Sequence, residues 1–170
     1  MYKIYDKCFP MEPYKLDNKL MQNSIRLSWI EPKHIIKIWR KMAFKFNYLI
    51  DNALKYMKLI DFEKSPMKKY LCIDKIIKLI KSYLKFEEYE KIDREDIKSI
   101  LIYIFIKSAS SRNYSNLKFI ELYNNKMNDI QTIRSAFYFI EKIKYSDLIN
   151  VSQEEFIRKC NESTKEDKNM

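Results

Sequence analysis

The residue types that usually carry covalent chemistry are scarce in this chain, and their spacing is wrong for it. There is one histidine, His34, so a metal site or nucleophile–base pair built on several histidines cannot be assembled. His34 is therefore read as a packing or surface residue. Cys8, Cys72 and Cys160 are widely separated, odd in number and form no C-x-x-C pair, which reads as reduced, buried thiols of the cytosol. Glycine is absent. A loop that cradles phosphate needs glycine for close backbone approach, so the P-loop and the dinucleotide fingerprint are both excluded. What remains is charge. Glu95 and Asp96 follow Asp93 at the head of an apolar run, Ile97 to Ile106. Acids in a first helical turn stabilise the macrodipole by about 0.3–1 kcal/mol. The same position can present a carboxylate to a partner, and residue types alone do not separate the two roles. The chain reads as one that grips another protein rather than one that makes or breaks covalent bonds.

The elements that must position these residues are helices. The 170 residues suit one domain. Hydrophobic residues make up 46% and aromatics 15%, enough for a packed core. Strand-rich folds lean on glycine for hairpin turns and bulges, whereas helix interiors disfavour it. The fold class expected is all-α, a single-domain multi-helix layered bundle, with Asn taking the left-handed cap positions.

Residues 1–13, with Pro10 and Pro13, read as an extended lead-in. Met1 to Pro10 mixes charges with aromatics and lacks the apolar segment of a signal peptide. A first helix places Leu16, Leu20 and Leu27 on one face until Pro32 breaks it; a short turn then carries Ile35, Ile38 and Trp39. The next stripe is Phe46, Leu49, Ala53, Tyr56, Met57 and Ile60. Ser65-Pro66 starts a helix with Tyr70, Ile73, Ile77, Ile80 and Leu84, and Lys85 to Ile92 reads as a charged loop. Asp93 caps a helix that is apolar nearly all round, as in the centre of a bundle. Ser108 to Asn113 reads as a loop, Ser115 as the start of a short helix, Asn124 to Asn128 as a turn, and Ile133, Ala136, Phe137 and Ile140 as the next stripe. Ser152 and Glu155 form a capping box for a short last helix through Phe156 and Ile157, with residues 159–170 a polar, fraying tail. The folded domain is thus expected over 14–158.

Net charge is +10, carried mostly by Lys. Base and phosphate readout favours Arg. Lys, Ile, Asn and Tyr are abundant together, as an A+T-rich genome would give, so much of the charge is assigned to solvated helix faces.

Five short stretches, in order, carry a resemblance. Leu27 to Ile35 looks like "Leu-x-Trp-Ile-x-Pro-x-x-Leu", and Pro66 to Ile73 like "Pro-x-x-Lys-Leu-x-Cys-Ile". Arg94 to Lys107 looks like "Asp-x-x-x-Pro-x-Leu-x-Tyr-x-x-x-Lys", and Tyr114 to Ile120 like "x-Ser-Asn-x-x-Tyr-Ile". Ala136 to Ile143, then Ser152 to Phe156, look like "Ala-x-x-Phe-Ile-Glu-x-Leu" and "Ser-x-Glu-x-Phe". Together they resemble the VPS-nine (vacuolar protein sorting nine) domain of exchange factors for early-endosomal Rab GTPases, from about Phe9 to Ile157.

The resemblance implies an all-α layered domain with a groove between two helices for the GTPase switch regions. It implies an acidic finger that competes for the phosphate-binding Lys and expels Mg²⁺ and GDP, with no cofactor or metal of the chain's own. The finger falls on Glu95, with Asp96 beside it. The groove falls on Ile97, Ser99, Ile100, Tyr103, Asn128, Gln131, Thr132 and Ser135. The chain departs from the pattern at Ser99, where the family has Pro, and at Asn128 and Gln131, where it has Tyr and Thr; Thr132 lies one place further on. Ala109-Ser110 replaces the family's Asn-Pro. The expected partner is a Rab GTPase, met by a cytoplasmic protein that can be recruited to endosomes with peripheral membrane contact. Two alternatives stay open: a family member that holds its GTPase as a scaffold with weak exchange, and a basic helical module on nucleic acid, the less expected partner, or anionic membrane.

Overall fold

A computed structural model describes residues 12–36, 43–86, 92–123 and 129–168. The expectations for residues 1–11, Cys8, Ile38, Trp39 and Asn124 to Asn128, and for most of the charged loop after Lys85, fall outside these residues. Every regular element among the described residues is a helix. They are α1 (Glu12–Arg26), α2 (Pro32–Ile35), α3 (Ala43–Phe62), α4 (Pro66–Phe86), α5 (Arg94–Ser108), α6 (Asn113–Tyr123), α7 (Ile130–Lys142), a 3₁₀ turn at Tyr145–Asp147, and α8 (Gln153–Lys168).

The centre of the molecule is α5. Ile97, Ile100, Leu101, Ile102, Ile104, Phe105 and Ile106 are all buried, and α5 packs on α1, α2, α3, α4 and α7. An all-round apolar helix needs neighbours on every side. Phe105 meets the Phe137 ring of α7 edge-on at 4.8 Å. The α3 and α4 helices form an antiparallel pair. The α3 stripe is largely confirmed: Phe46, Leu49, Ala53, Met57 and Ile60 are buried, while Tyr56 lies at the edge of the core.

Local caps follow the sequence where the capping group is local. The Asp93 carboxylate accepts from the Asp96 N–H at 2.8 Å, and the Asp96 carboxylate accepts from the Asp93 N–H at 3.2 Å. The Ser152 hydroxyl accepts from the Glu155 N–H at 3.1 Å. Pro66 is the first residue of α4, and the Ser65 carbonyl takes the Lys69 N–H at 3.0 Å.

Several boundaries differ from expectation. The first helix already includes Glu12 and Pro13; proline fits a first turn because its missing N–H has no helical acceptor there. Leu27 lies just past the end of α1, although its side chain is buried. The α4 helix runs on through Lys85 and Phe86. Asn113, not Ser115, opens α6, because Asp17 of α1 caps it from 97 residues away. The polar tail is helical to Lys168: Cys160 and Ser163 are buried, in register with Phe156, and α8 packs on α1. Ile157 instead is exposed. Among the described residues, helical structure thus begins at Glu12 and ends at Lys168. Asn150 takes a left-handed conformation in the turn before α8 (φ 56°), but the left-handed helix cap expected to be Asn is Ala109 (φ 41°). A non-glycine residue there costs about 1–2 kcal/mol. The Ala109 N–H closes α5 by bonding the Phe105 carbonyl.

Candidate functional site

The expected finger lies in the first turn of α5, and its two acids have different surroundings. Asp96 occupies the third helical position, where its carboxylate completes the capping box with Asp93. Partial burial raises its carboxyl above the usual range, helped by the neighbouring Asp93 and Glu95 charges and opposed by the bond from the Asp93 N–H. Glu95 stands outside the box. Its side chain is 72% exposed and pairs with Lys98 on the next turn. One helical step turns successive side chains about 100° apart, so one acid is spent on the cap and the other is presented to solvent.

Further along α5, Ser99 is half-buried, and so is Tyr103. Glu95, Ser99 and Tyr103 follow at four-residue spacing and share one flank of the helix. The Tyr103 ring lies 5.6 Å from Phe46, with the Lys107 ammonium 5.3 Å from its own centroid. Burial pushes the Tyr103 phenol up, and the Glu31 charge adds to it. Ile100, expected on the groove, is 1% exposed and Ile97 is 9% exposed. Both pack into the core beneath the α5 surface.

The second helix of the site, α7, packs directly along α5. Gln131 and Ser135 are exposed and Thr132 is half-buried. Ile133, Ala136, Phe137 and Ile140 occupy the opposite, buried side. Asn128 lies outside the described residues. Between Gln131 and Ser135, Arg134 reaches back to α6 and grips Glu121, with contacts of 2.7 and 2.6 Å. Tyr138, 65% exposed, continues the outward stripe three residues beyond Ser135. In the sequence it falls within the stretch Ala136 to Ile143. The signal was there: it lies out of phase with the buried stripe of α7.

The polar residues that carried the resemblance do a different job. Lys69 is 4% exposed; its ammonium donates to the Ile60 carbonyl and to Asn116 Oδ1 at 2.8 Å. Asn116 Nδ2 donates to Asp61 at 2.7 Å, and Ser110 donates to the same carboxylate at 3.0 Å. Burial lowers the Lys69 pKa, while the Asp61 charge opposes that shift. Asp17, 2% exposed, accepts from the Tyr114 N–H at 2.6 Å, the Ser115 N–H at 3.2 Å and the Ser115 hydroxyl. Burial raises its carboxyl, and the Ser115 bonds hold it down. Lys107 donates to the Ser28 carbonyl at 2.6 Å, and the Tyr114 hydroxyl donates to Glu141 at 2.6 Å. His34 is buried, its ring 5.5 Å from Trp29, and Nδ1 accepts the Glu31 N–H at 3.1 Å. Except for the local His34 bond, these contacts join segments distant in sequence. Cys72 and Cys160 are buried free thiols, raised by burial. Among the described residues, no group of three or more His, Cys, Asp or Glu is placed to hold a metal ion.

The arrangement offers two packed helices, an exposed carboxylate at the head of one and a polar, aromatic-ended stripe along the other. It can bind a partner's surface and present a charge to it. Comparison with known proteins agrees with this frame. The exchange factors named "Rab5 GDP/GTP exchange factor" from Bos taurus, Homo sapiens and Mus musculus are each 27% identical to the chain, over 93% of this chain and 34% of their own length. The chain thus spans about a third of the length of these curated relatives. The family model of the Vacuolar sorting protein 9 (VPS9) domain matches residues 50–145, which takes in α4, α5, α6, α7 and most of α3. With more than half of its length matched by that model, and with α3, α4 and α7 packed on α5, the chain belongs to the VPS9 domain family.

Proposed function

We propose that this chain is a guanine-nucleotide exchange domain for a Rab GTPase of the early-endosomal type. The observation that carries the reading is the exposed Glu95 carboxylate at the head of α5, on a chain of a family whose relatives bear the name of Rab5 exchange factors. The GTPase switch regions dock across α5 and α7, on Ser99, Tyr103, Gln131, Thr132, Ser135 and Tyr138. Glu95 exchanges its intramolecular partner, Lys98, for the phosphate-binding Lys of the GTPase. Mg²⁺ and GDP, both belonging to the GTPase, then leave. No covalent bond forms or breaks. The site binds the nucleotide-free GTPase more tightly than the loaded one, and linkage requires it to weaken nucleotide binding by the same factor. The chain works on the cytoplasmic face of endosomes, where its partner resides.

The test is release of labelled GDP from a panel of Rab GTPases, with capture of the nucleotide-free, GDP-loaded and GTP-loaded forms alongside. Faster release from early-endosomal members and preferential capture of the nucleotide-free form are expected. Equal capture of all three forms refutes exchange, because a partner without differential affinity shifts no equilibrium.

A further inference from the structure

The turn between α3 and α4 has a composition that neither the core nor the α5–α7 site uses. Phe62, the last residue of α3, is 80% exposed, and Leu59, one turn earlier, is 46% exposed. Across the joint, Met67 is 44% and Leu71 42% exposed. Leu59 lies about 4.5 Å of helical rise before Phe62, and Leu71 about 7.5 Å beyond Pro66. The apolar side chains are therefore gathered at one end of the hairpin. Lys58, Lys64 and Lys68 are exposed among them. The exposed Arg112 comes from the neighbouring loop, which the Ser110–Asp61 bond holds against the end of α3.

The charge of this hairpin is lopsided. Residues 43–86 hold ten lysines and four acids, so six of the chain's net ten positive charges sit on about a quarter of its length. Two of the acids are already committed: Asp61 is turned to Ser110 and Asn116, and Asp74 is paired with Lys78 at 2.7 Å. The turn is also held firmly. Lys69 ties the Ile60 carbonyl to Asn116, and the Glu63 N–H bonds the Leu59 carbonyl at 3.0 Å. A tip whose backbone is already fixed loses little further conformational freedom on binding.

We infer that the α3–α4 tip is a docking surface for an anionic phospholipid bilayer. Phe62, Leu59, Met67 and Leu71 enter the headgroup layer, while Lys58, Lys64, Lys68 and Arg112 meet the lipid phosphates. Apolar side chains ringed by lysines match the two layers such a surface offers, an acyl boundary beneath a sheet of negative charge. Nucleic acid would engage the cations and has no use for four protruding apolar side chains. A membrane-docked tip would hold the exchange site near a membrane-anchored GTPase; the lipid contact itself does not depend on exchange.

The experiment is co-sedimentation of the full chain with vesicles of phosphatidylcholine alone and of phosphatidylcholine with phosphatidylserine at a 4:1 ratio. Binding to the mixed vesicles and not to the neutral ones is expected, weakening as salt rises. Each cation lost at the surface lowers partition about fivefold, so Lys64→Glu with Lys68→Glu lowers it at least ~25-fold. Lys142→Glu with Lys165→Glu, an equal change of charge on exposed residues of α7 and α8 outside the tip, lowers it less than ~3-fold. Phe62→Ser lowers it about tenfold. That residue is exposed, so the helical circular dichroism spectrum stays as in the wild type. Equal binding to neutral vesicles, wild-type binding by Phe62→Ser, or equal losses in the two charge variants would each overturn the inference. So would a wild-type dimer that Phe62→Ser turns into a monomer without any vesicle binding. GDP release from a soluble GTPase, measured on the same variants, stays unchanged, so failure of the lipid contact and failure of the exchange reading are told apart.

Discussion

Replacing Glu95 and Asp96 one at a time separates the two roles that the sequence left joined. Asp96 completes the capping box with Asp93, through bonds of 2.8 and 3.2 Å. Asp96→Ala removes one of these acceptors and leaves the Asp93 N–H to water. Capping groups of this kind are worth about 0.5–2 kcal/mol, so a loss near 1 kcal/mol is expected in urea unfolding. Glu95 contributes an exposed pair with Lys98 and a favourable charge at the helix head. The pair is worth about 0.2–0.5 kcal/mol and the dipole interaction about 0.3–1 kcal/mol. Much of the latter is retained by Asp93 and Asp96, so Glu95→Ala costs less stability than Asp96→Ala. For exchange the order reverses. A charge-assisted contact to the phosphate-binding Lys need supply only about 1.4 kcal/mol for a tenfold effect, so Glu95→Ala slows GDP release at least ~10-fold while Asp96→Ala changes it less. The assay is release of labelled GDP per folded molecule, with urea midpoints measured on the same preparations. If Glu95→Ala releases GDP at the wild-type rate, the exposed carboxylate is only a helix-end charge and the finger assignment falls.

Two further outcomes concern the frame. Lys69→Met strips two buried acceptors, the Ile60 carbonyl and Asn116 Oδ1, of their donor, and a loss of ~2–4 kcal/mol is expected from urea unfolding; a loss under ~1 kcal/mol would mean the tie is not important for stability. The His34 pKa is lowered by burial first and by Lys33 next, against the Glu31 and Glu155 charges. A group whose folded pKa is depressed is destabilising when protonated: its contribution is intact above the unfolded value near 6.5 and is lost as pH falls through the folded value. Wild-type stability should therefore drop as pH falls below about 6.5, by at most ~1.4 kcal/mol per pH unit from this residue, and His34→Asn should remove that part of the slope. Identical slopes in the two proteins would refute it.

The parts of the fold legible in the sequence are those decided locally. The α3 and α4 stripes, the all-round apolar α5 and the caps at Asp93 and Ser152 each rest on residues within a turn or two of one another. Three of the differences from expectation have distant causes. The start of α6 is set by Asp17, which arrives from α1. The extension of α8 depends on Cys160 and Ser163 finding a buried site beside α1, and small polar residues do not announce that in a composition window. Ala109 is left-handed because α5 must stop where Ser110 and Asp61 meet, although alanine does not favour that conformation. The site divides in the same way. Glu95 and Asp96 are one residue apart in sequence, and only the capping geometry says which is spent. Ile100 fits a motif and a core stripe equally well, and its burial decides for the core.

That division bears on what the family likeness measures. Lys69, Asn116, Ser115, Lys107 and Glu141 are polar residues within the stretches that carry the resemblance. In the structure each bonds a neighbouring segment: Lys69 and Asn116 at the α3–α4–α6 junction, Ser115 to Asp17, Lys107 to Ser28, and Glu141 to Tyr114. An unmatched partner at such a buried tie costs about 1–3 kcal/mol, so the residues must change together or not at all. Apart from Arg134, which grips Glu121, the polar residues facing outward from α7 are under no such constraint. Ser99, Gln131 and Ser135 take no part in these ties, so substitutions there would leave the frame intact. Frame and outward surface are thus physically separable: a chain can keep the VPS9 architecture while its outward stripe changes. The likeness through the ties therefore identifies the scaffold, while the choice of partner rests on the side chains that the scaffold leaves free.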